Sequence, residues 1–385
     1  MRNKIFKLLA VTVVMATLIC GCQKEPESTA DGAVRHAKDT VENEVAGIVG
    51  GNPAGTENNR QDIDCLIGTE DNGIRIQAQM PEIPQNVYRM VLKENETLTK
   101  ELLADFLESD TGNISDLSEE ASREAEQSEK DNAQGEDRAV YSVFGSGIIY
   151  ELSAGQKTAV FSHGTSAYYQ DDALYEKCIS IYKSVKESVL KETDYTDIYK
   201  EAEELLSGRL SKIGVKEIYI YKITQYQSES AIFYEIEFTP SYDGMGVVHE
   251  LGSITSGEIF PLGRAWICEG DIAFLDMDYF LGKVETQEKQ ETLLSWEQVK
   301  EILEVNLSNG KITGSSKAVL TEAEFLYYPV FKKAEDKLEL VPVWHFYIPM
   351  SVWIENEELS EQFTTNGTAW SICVNAVSGE IVRVE

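Results

Sequence analysis

Between Leu293 and Glu385 the spacing of apolar residues changes once, from a period of 3.6 to a period of two. That change constrains the fold of this chain more than any other feature. Ser295 and Gln298 stand at capping-box spacing, where hydroxyl and amide satisfy the first free N–H groups of a helix. Trp296, Val299, Ile302, Leu303, Asn306 and Leu307 then recur at helical spacing, and Asn309-Gly310 tolerates the left-handed backbone that ends a helix. After Gly314 alternation takes over. Val319, Thr321, Ala323, Phe325 and Tyr327 share one strand face, and Glu322 and Glu324 share the other. Lys332 to Lys337 reads as a charged turn and Leu338 to Tyr347 as a second strand. Pro342 lacks an N–H, so it is expected near an edge or a strand start. Trp370, Ile372 and Val374 line a third strand. Ser378-Gly379 turns the chain into a last strand carrying Ile381, Val382 and Val384. A helix lying across such an antiparallel sheet buries both apolar faces, so the expected class is α+β.

The upstream chain repeats this logic more loosely. Residues 61–108 read as a small α+β unit. Ile74, Ile76 and Ala78 alternate, Val87 to Leu92 is a short strand, and Leu98, Leu102, Leu103, Phe106 and Leu107 form a helical stripe. Residues 109–138 are acidic with almost nothing large and apolar, the composition of a linker or loop. Residues 139–283 read as a middle α+β domain. It has β character from Val140 to Phe161 and helices at Asp171 to Lys191 and Thr196 to Ile213, the second stopped by Gly214. Strand-like runs follow at Val215 to Tyr226, Ala231 to Thr239 and Glu258 to Leu275. The polar run Glu285 to Glu291 marks the expected boundary with the C-terminal domain, 284–385. The expectation is therefore two or three helix-on-antiparallel-sheet units.

The N-terminus carries an address. Arg2, Lys4 and Lys7 form a cationic start and Leu8 to Ile19 an apolar stretch of signal-peptide length. Ile19-Cys20-Gly21-Cys22 resembles the lipobox of bacterial lipoproteins, with a small residue just before a cysteine. The resemblance implies a signal peptide over residues 1–21 and acylation of Cys22 Sγ. Cys20 fits less well, because Ile19 stands where a small side chain is needed. Two or more acyl chains anchor firmly, whereas one is marginal. Residues 22–60 are rich in Ala, Gly, Glu, Thr and Asn and read as a disordered spacer to the lipid bilayer.

Removing residues 1–21 takes three basic and no acidic side chains from a chain of net charge −32, leaving about −35. So acidic a surface argues against nucleic acid, which wants a basic footprint, and against lying flat on anionic lipid. The tether at Cys22 must do the holding.

Residues able to carry chemistry form no recognisable constellation. Cys65, Cys178, Cys268 and Cys373 fit no zinc spacing and read as buried thiols, although an exported compartment permits disulfides. His36, His163, His249 and His345 lack metal-ligand spacing. His345, between Trp344 and Phe346, reads as a core or edge histidine. His163-Gly164-Thr165-Ser166 lacks a nucleophile elbow, and Asp271, Asp276 and Asp278 lack the spaced oxygens of a calcium loop. Tyr168, Tyr169, Tyr219, Tyr221, Tyr226, Tyr234 and Tyr242 fall near strands, where tyrosine serves packing as readily as binding. No catalytic residue, metal site or cofactor is expected.

The ending Asn375-Ala376-Val377-Ser378-Gly379-Glu380-Ile381-Val382 is similar to the hairpin of PepSY-like domains. It is also similar to extracytoplasmic proteins related to YycI and YycH, which regulate a sensor kinase. Together with Leu293-Leu294-Ser295-Trp296-Glu297-Gln298-Val299-Lys300 and Leu340-Val341-Pro342-Val343-Trp344-His345-Phe346-Tyr347, it resembles a family of Gram-positive lipoproteins known only as a domain of unknown function. The resemblance implies PepSY/YycI-like units on the outer face of a cytoplasmic membrane. The implied role is non-catalytic: binding or regulating a membrane or envelope partner such as a sensor or peptidase. The alternatives are a solute- or glycan-binding lipoprotein serving a transporter and, less in keeping with the residues, a wall-active hydrolase.

Overall fold

The structure is a computed structural model that describes residues 61–70, 72–93, 99–108, 114–116, 149–162, 166–185, 196–228, 231–249, 262–278, 282–315, 318–332, 337–349 and 369–384. All of them fall within one compact unit, Gly47–Glu385. The signal peptide, Cys22, the spacer, His36 and His163 lie outside them. The fold is α+β. No helix among the described residues is long and apolar enough to cross a membrane.

Among the described residues the C-terminal sheet holds six strands, β3 (Tyr88–Lys93), β13 (Lys283–Lys289), β15 (Glu322–Lys332), β16 (Lys337–Tyr347), β17 (Ser371–Asn375) and β18 (Ile381–Val384). They run in the order β13-β3-β16-β17-β18, with β15 on the other side of β16. One face packs against α4 (Trp296–Ser308), whose capping box is formed by Ser295 and Gln298, with Gly310 left-handed just past its end. Trp296 of α4 reaches Trp344 and Phe346 of β16, with ring centroids 6.4 Å and 5.5 Å apart. Between Asn375 and Glu380 the chain turns as the motif requires. Asn375 Oδ1 accepts from the N–H groups of Val377 and Ser378, and Gly379 is left-handed.

A three-stranded sheet, β1 (Asp62–Ile67), β2 (Ile74–Gln79) and β14 (Val319–Leu320), adds Ile63, Ile67, Ile74, Ile76 and Leu320 to the same core. The strand expected from Val319 to Tyr327 therefore changes partners. Val319 and Leu320 pair in parallel with β2, and from Glu322 the chain pairs antiparallel with β16.

Among the described residues the long sheet has nine strands. They are β4 (Ile114–Asp116), β5 (Ile149–Ala154), β6 (Lys157–Ser162), β7 (Ser166–Asp171), β8 (Ile218–Gln227), β9 (Ile232–Tyr242), β10 (Met245–Gly246), β11 (Leu262–Cys268) and β12 (Asp271–Asp278). On one face α1 (Lys100–Leu107) and α3 (Thr196–Leu210) bury Phe106, Leu206 and Leu210 against Phe161, Ile236, Phe238 and Leu275. On the other, α2 (Asp172–Val185) buries Cys178 and Ile181 against Phe233, Cys268 and Ala273. The run Glu258 to Leu275, expected as one strand, folds back at Glu269-Gly270 into the β11–β12 hairpin. Residues 114–116 form β4 on β5, within the stretch expected to be a linker.

The expected domain boundaries do not match the pairing. Residues 61–108 do not close a core of their own. β3 hydrogen-bonds to β16 and β13, with Met90 and Leu92 in the C-terminal core, whereas α1 packs into the middle core. The polar run read as a boundary at residue 284 is β13, laid antiparallel along β3. An isolated short strand leaves backbone groups and one apolar face unsatisfied, and the C-terminal sheet satisfies both. Arg89 of β3 also donates to Glu339 of β16 through Nη2 (2.6 Å) and Nε (3.2 Å).

Pro342 corrects another expectation, because it sits inside the central strand β16 opposite Tyr327. Its carbonyl accepts from Ala376 N–H at 2.9 Å, so its nitrogen faces the same side. On that side β16 pairs with β3 at residues 338–340 and with β17 at residues 343–347. The missing donor falls at the end of the β17 ladder, where Ala376 O, which would otherwise accept from it, accepts from Leu294 N–H at 2.7 Å.

Candidate functional site

Strand alternation divides β16. Trp344 and Phe346 point into the apolar core with α4, and His345 and Tyr347 point to the opposite face. Opposite His345 lies Glu324 of β15, and next to Tyr347 lies Ser371 of β17. This second face is not solvent. Every residue of β16 from Leu338 to Tyr347 is buried.

The long sheet reaches the same place. After β10 the chain runs on beside β15, with Val247 bridging Tyr327 and Val248 N–H donating to Tyr327 O at 2.8 Å. Thr239 clamps this segment. Its hydroxyl donates to Val247 O (3.1 Å), and its Oγ1 lies 3.3 Å from Val247 N. The next residue but one is His249. On β8 the register skips Tyr221, a bulge between Ile220 and Lys222, and bulges re-aim side chains. Tyr221 stacks on the His249 ring at 3.8 Å and 4°. Tyr219 sends its hydroxyl to Glu324 Oε1 at 2.8 Å.

The result is a polar cluster at the junction of two sheets. Glu324 Oε2 lies 2.8 Å from His249 Nε2 and 3.9 Å from His345 Nδ1. His345 Nε2 is 3.0 Å from Ser371 Oγ, the donor depending on the imidazole tautomer. Tyr347 stacks on His345 at 4.4 Å and meets His249 edge-on at 5.6 Å. His249 is 1% exposed, Glu324 8%, and His345 and Ser371 0%. Burial opposes ionisation of Glu324, but His249, His345 and the Tyr219 hydroxyl outweigh it and hold its pKa at about 2. Burial pushes His345 down from 6.5 to about 3, against the attraction of Glu324 and helped by His249, so it is neutral at pH 7.

Hydroxyl, imidazole and carboxylate therefore occur in the order of a nucleophilic triad, with two departures. The imidazole–carboxylate separation of 3.9 Å exceeds a hydrogen bond, and the hydroxyl lies at 0% exposure in a central strand, whereas a nucleophile must reach a substrate carbonyl. What the arrangement does in the folded chain is tie β8, the segment at His249, β15, β16 and β17 to one another.

Two expected outcomes follow. Both pKa values lie below those of the unfolded chain, so unfolding takes up protons as the pH falls. Stability should decline as pH drops below 6.5, where unfolded His345 protonates, and faster below 4.5, where Glu324 joins, until the folded values of about 3 and 2 are reached. Urea denaturation at stepped pH checks this. His345→Phe should flatten the arm between pH 6.5 and 4.5, and an unchanged slope there would rule His345 out as its source. The second outcome concerns Gly246, where an added Cβ would lie 2.5 Å from the Tyr219 ring. Gly246→Ala should cost about 1–3 kcal/mol by displacing Tyr219 from Glu324. In a Tyr219→Ala background the same substitution should cost much less, and equal costs in both backgrounds would exclude this mechanism.

The other sequence-level candidates separate. Cys178 and Cys268 meet under α2, whereas Cys65 packs beside the α4 core and Cys373 lies on the second face of the C-terminal sheet. All four are free thiols, and all but the half-buried Cys65 are buried. Asp271 Oδ1 accepts from Ile272 N–H at 2.7 Å. Tyr169 is in the α1–α3 core, Tyr226 donates to Glu235, and Tyr242 donates to Gly282 O. Of the tyrosines singled out, only Tyr219 and Tyr221 join the cluster. Sequence reasoning missed Glu324 and the meeting of His249 with His345. The signal was the run Leu340 to Ile348, apolar except at His345, since a strand apolar on both faces must partner any histidine within it.

No family model matches this chain and no curated protein is significantly similar to it. Among solved structures, an uncharacterized protein from Eubacterium rectale ATCC 33656 is similar over 84% of this chain and 94% of its own, at 15% identity and a TM-score of 0.39. That level of likeness says nothing about activity.

Proposed function

We propose that this chain is a lipid-anchored module on the outer face of the cytoplasmic membrane, acylated at Cys22, that binds or regulates a membrane or envelope partner without catalysing a reaction. The observation that carries the reading is the burial of Glu324, His249, His345 and Ser371. The side chains best suited to chemistry are used to lock two sheets together, which leaves outer surfaces for recognition. β13 is the natural contact. It ends the C-terminal sheet, pairs with β3, and is exposed from Val284 to Lys289. A partner strand adding to it would be selected by the charged side chains Glu285, Glu288 and Lys289. The packing of Trp296 of a capped helix on Trp344 and Phe346 supports the PepSY/YycI-like reading of this half.

The test is cross-linking on intact cells carrying the tagged, lipidated protein, followed by identification of what co-purifies from the membrane. One dominant membrane protein, lost on replacing Glu285 and Glu288 by Lys, supports the reading. Saturable binding of a small solute without a protein partner would replace it with the transport alternative.

A further inference from the structure

We propose that Cys178 and Cys268 close into a disulfide that staples α2 to the β11–β12 hairpin. The two thiols share one apolar cluster with Ile181, Phe233 and Ala273. They are 0% and 1% exposed.

Three neighbouring contacts show that this approach is built and not incidental. Tyr175 lies three residues before Cys178, on the same helix face, and stacks on Trp266 at 5.2 Å and 8°. Trp266 lies two residues before Cys268, on the same strand face, since the two oppose Glu235 and Phe233 of β9. Lys177 pairs with Glu269, the residues adjoining the cysteines on each side. One helical turn farther along, Tyr182 packs on Tyr226 at 5.5 Å. Cys268 is held from behind as well. Glu269 (φ 57°) and Gly270 (φ 77°) form the tight turn that follows it, and its Sγ lies 3.9 Å from Ile232 O. Helix and hairpin are thus held together beside both thiols, through Tyr175–Trp266 and Lys177–Glu269, and a disulfide requires such proximity. Cys65 and Cys373 lie in other clusters.

Burial pushes both thiols above their ordinary pKa. The folded dithiol is therefore a poor nucleophile, and the bond belongs to folding, before α2 seats. A disulfide reagent such as oxidised glutathione supplies the oxidant. One cysteine thiolate attacks its S–S bond and releases one glutathione thiol. The second cysteine thiolate attacks the mixed disulfide and releases the other. Two protons leave the protein, and the two electrons end on glutathione. Once formed, the bond is shielded from reductants, so it is structural and not a switch. None of this depends on the anchoring reading, because the test needs no membrane.

The full chain is unfolded with reductant and refolded in mixtures of reduced and oxidised glutathione. It is then alkylated in denaturant and mapped by peptide mass. The expected result is one cross-linked peptide pair joining Cys178 to Cys268, with Cys65 and Cys373 alkylated. Alkylation of both Cys178 and Cys268 at every glutathione ratio, or a bridge to another cysteine, overturns the proposal. Thermal melts give a second readout. The oxidised chain should melt roughly 5 °C or more above the reduced chain. The Cys178→Ala/Cys268→Ala double variant should melt alike in both buffers. A redox-dependent shift that persists in the double variant also overturns it.

Discussion

Glu324→Ala should lower the unfolding free energy by about 3–5 kcal/mol, the largest effect expected of any single polar substitution in this chain. The carboxylate lies between two buried imidazoles and a tyrosine hydroxyl. Removing it leaves those groups without the charge that organises them, in a place where water does not compensate. Urea denaturation at pH 7 should show a lower midpoint with an unchanged slope. Glu324→Gln, which keeps an acceptor for Tyr219, should lose less. Replacing the cluster as a whole, with Glu324→Met, His249→Leu and His345→Phe together, should recover part of the loss, because no buried polar group is then stranded. A Glu324→Ala protein within about 1 kcal/mol of wild type would mean that the cluster does not lock the sheets, and the main support for the proposed function would go with it.

Trp344→Ala should cost about 3–5 kcal/mol by a different route, the opening of a cavity. Trp344 is 1% exposed, lies edge-on to Phe325 at 5.7 Å, stacks over Phe346 at 6.2 Å and touches Trp296 of α4. These rings come from three elements, so no single neighbour can move in to fill the space. Val305→Ala is the matched control. Val305 lies on α4 but is 57% exposed, and its loss should stay within about 0.5 kcal/mol. Comparable melting shifts for the two variants would place the core of this half elsewhere.

Local features were readable where the cause was local. Ser295 and Gln298 form their capping box because both partners lie within one turn. Asn375 and Gly379 set the last hairpin because an Asx turn and a left-handed residue need only their neighbours. Alternation placed Phe325 and Tyr327 together and Glu324 on the other side. It gave the side of Glu324 but not its surroundings, and a glutamate on the second face of a strand usually meets water. Here that face meets β8 and the segment at His249. Pro342 shows the same limit. Proline excludes a donor, but whether a donor was wanted depended on two strands from distant parts of the chain.

The sequence by itself determined the α+β class, the capped helix, the closing hairpin, the acidic surface and the lipobox-like start. Each of these follows from composition, from periodicity or from residues within a few positions of one another. Only the tertiary structure decided that β3 would complete a sheet made mostly from the last third of the chain. It alone brought His249, Glu324, His345 and Ser371 together, and set Cys178 against Cys268. Those juxtapositions rest on pairings across long stretches of chain. They are selected by the total burial of apolar surface and the satisfaction of backbone hydrogen bonds, quantities that no local window contains.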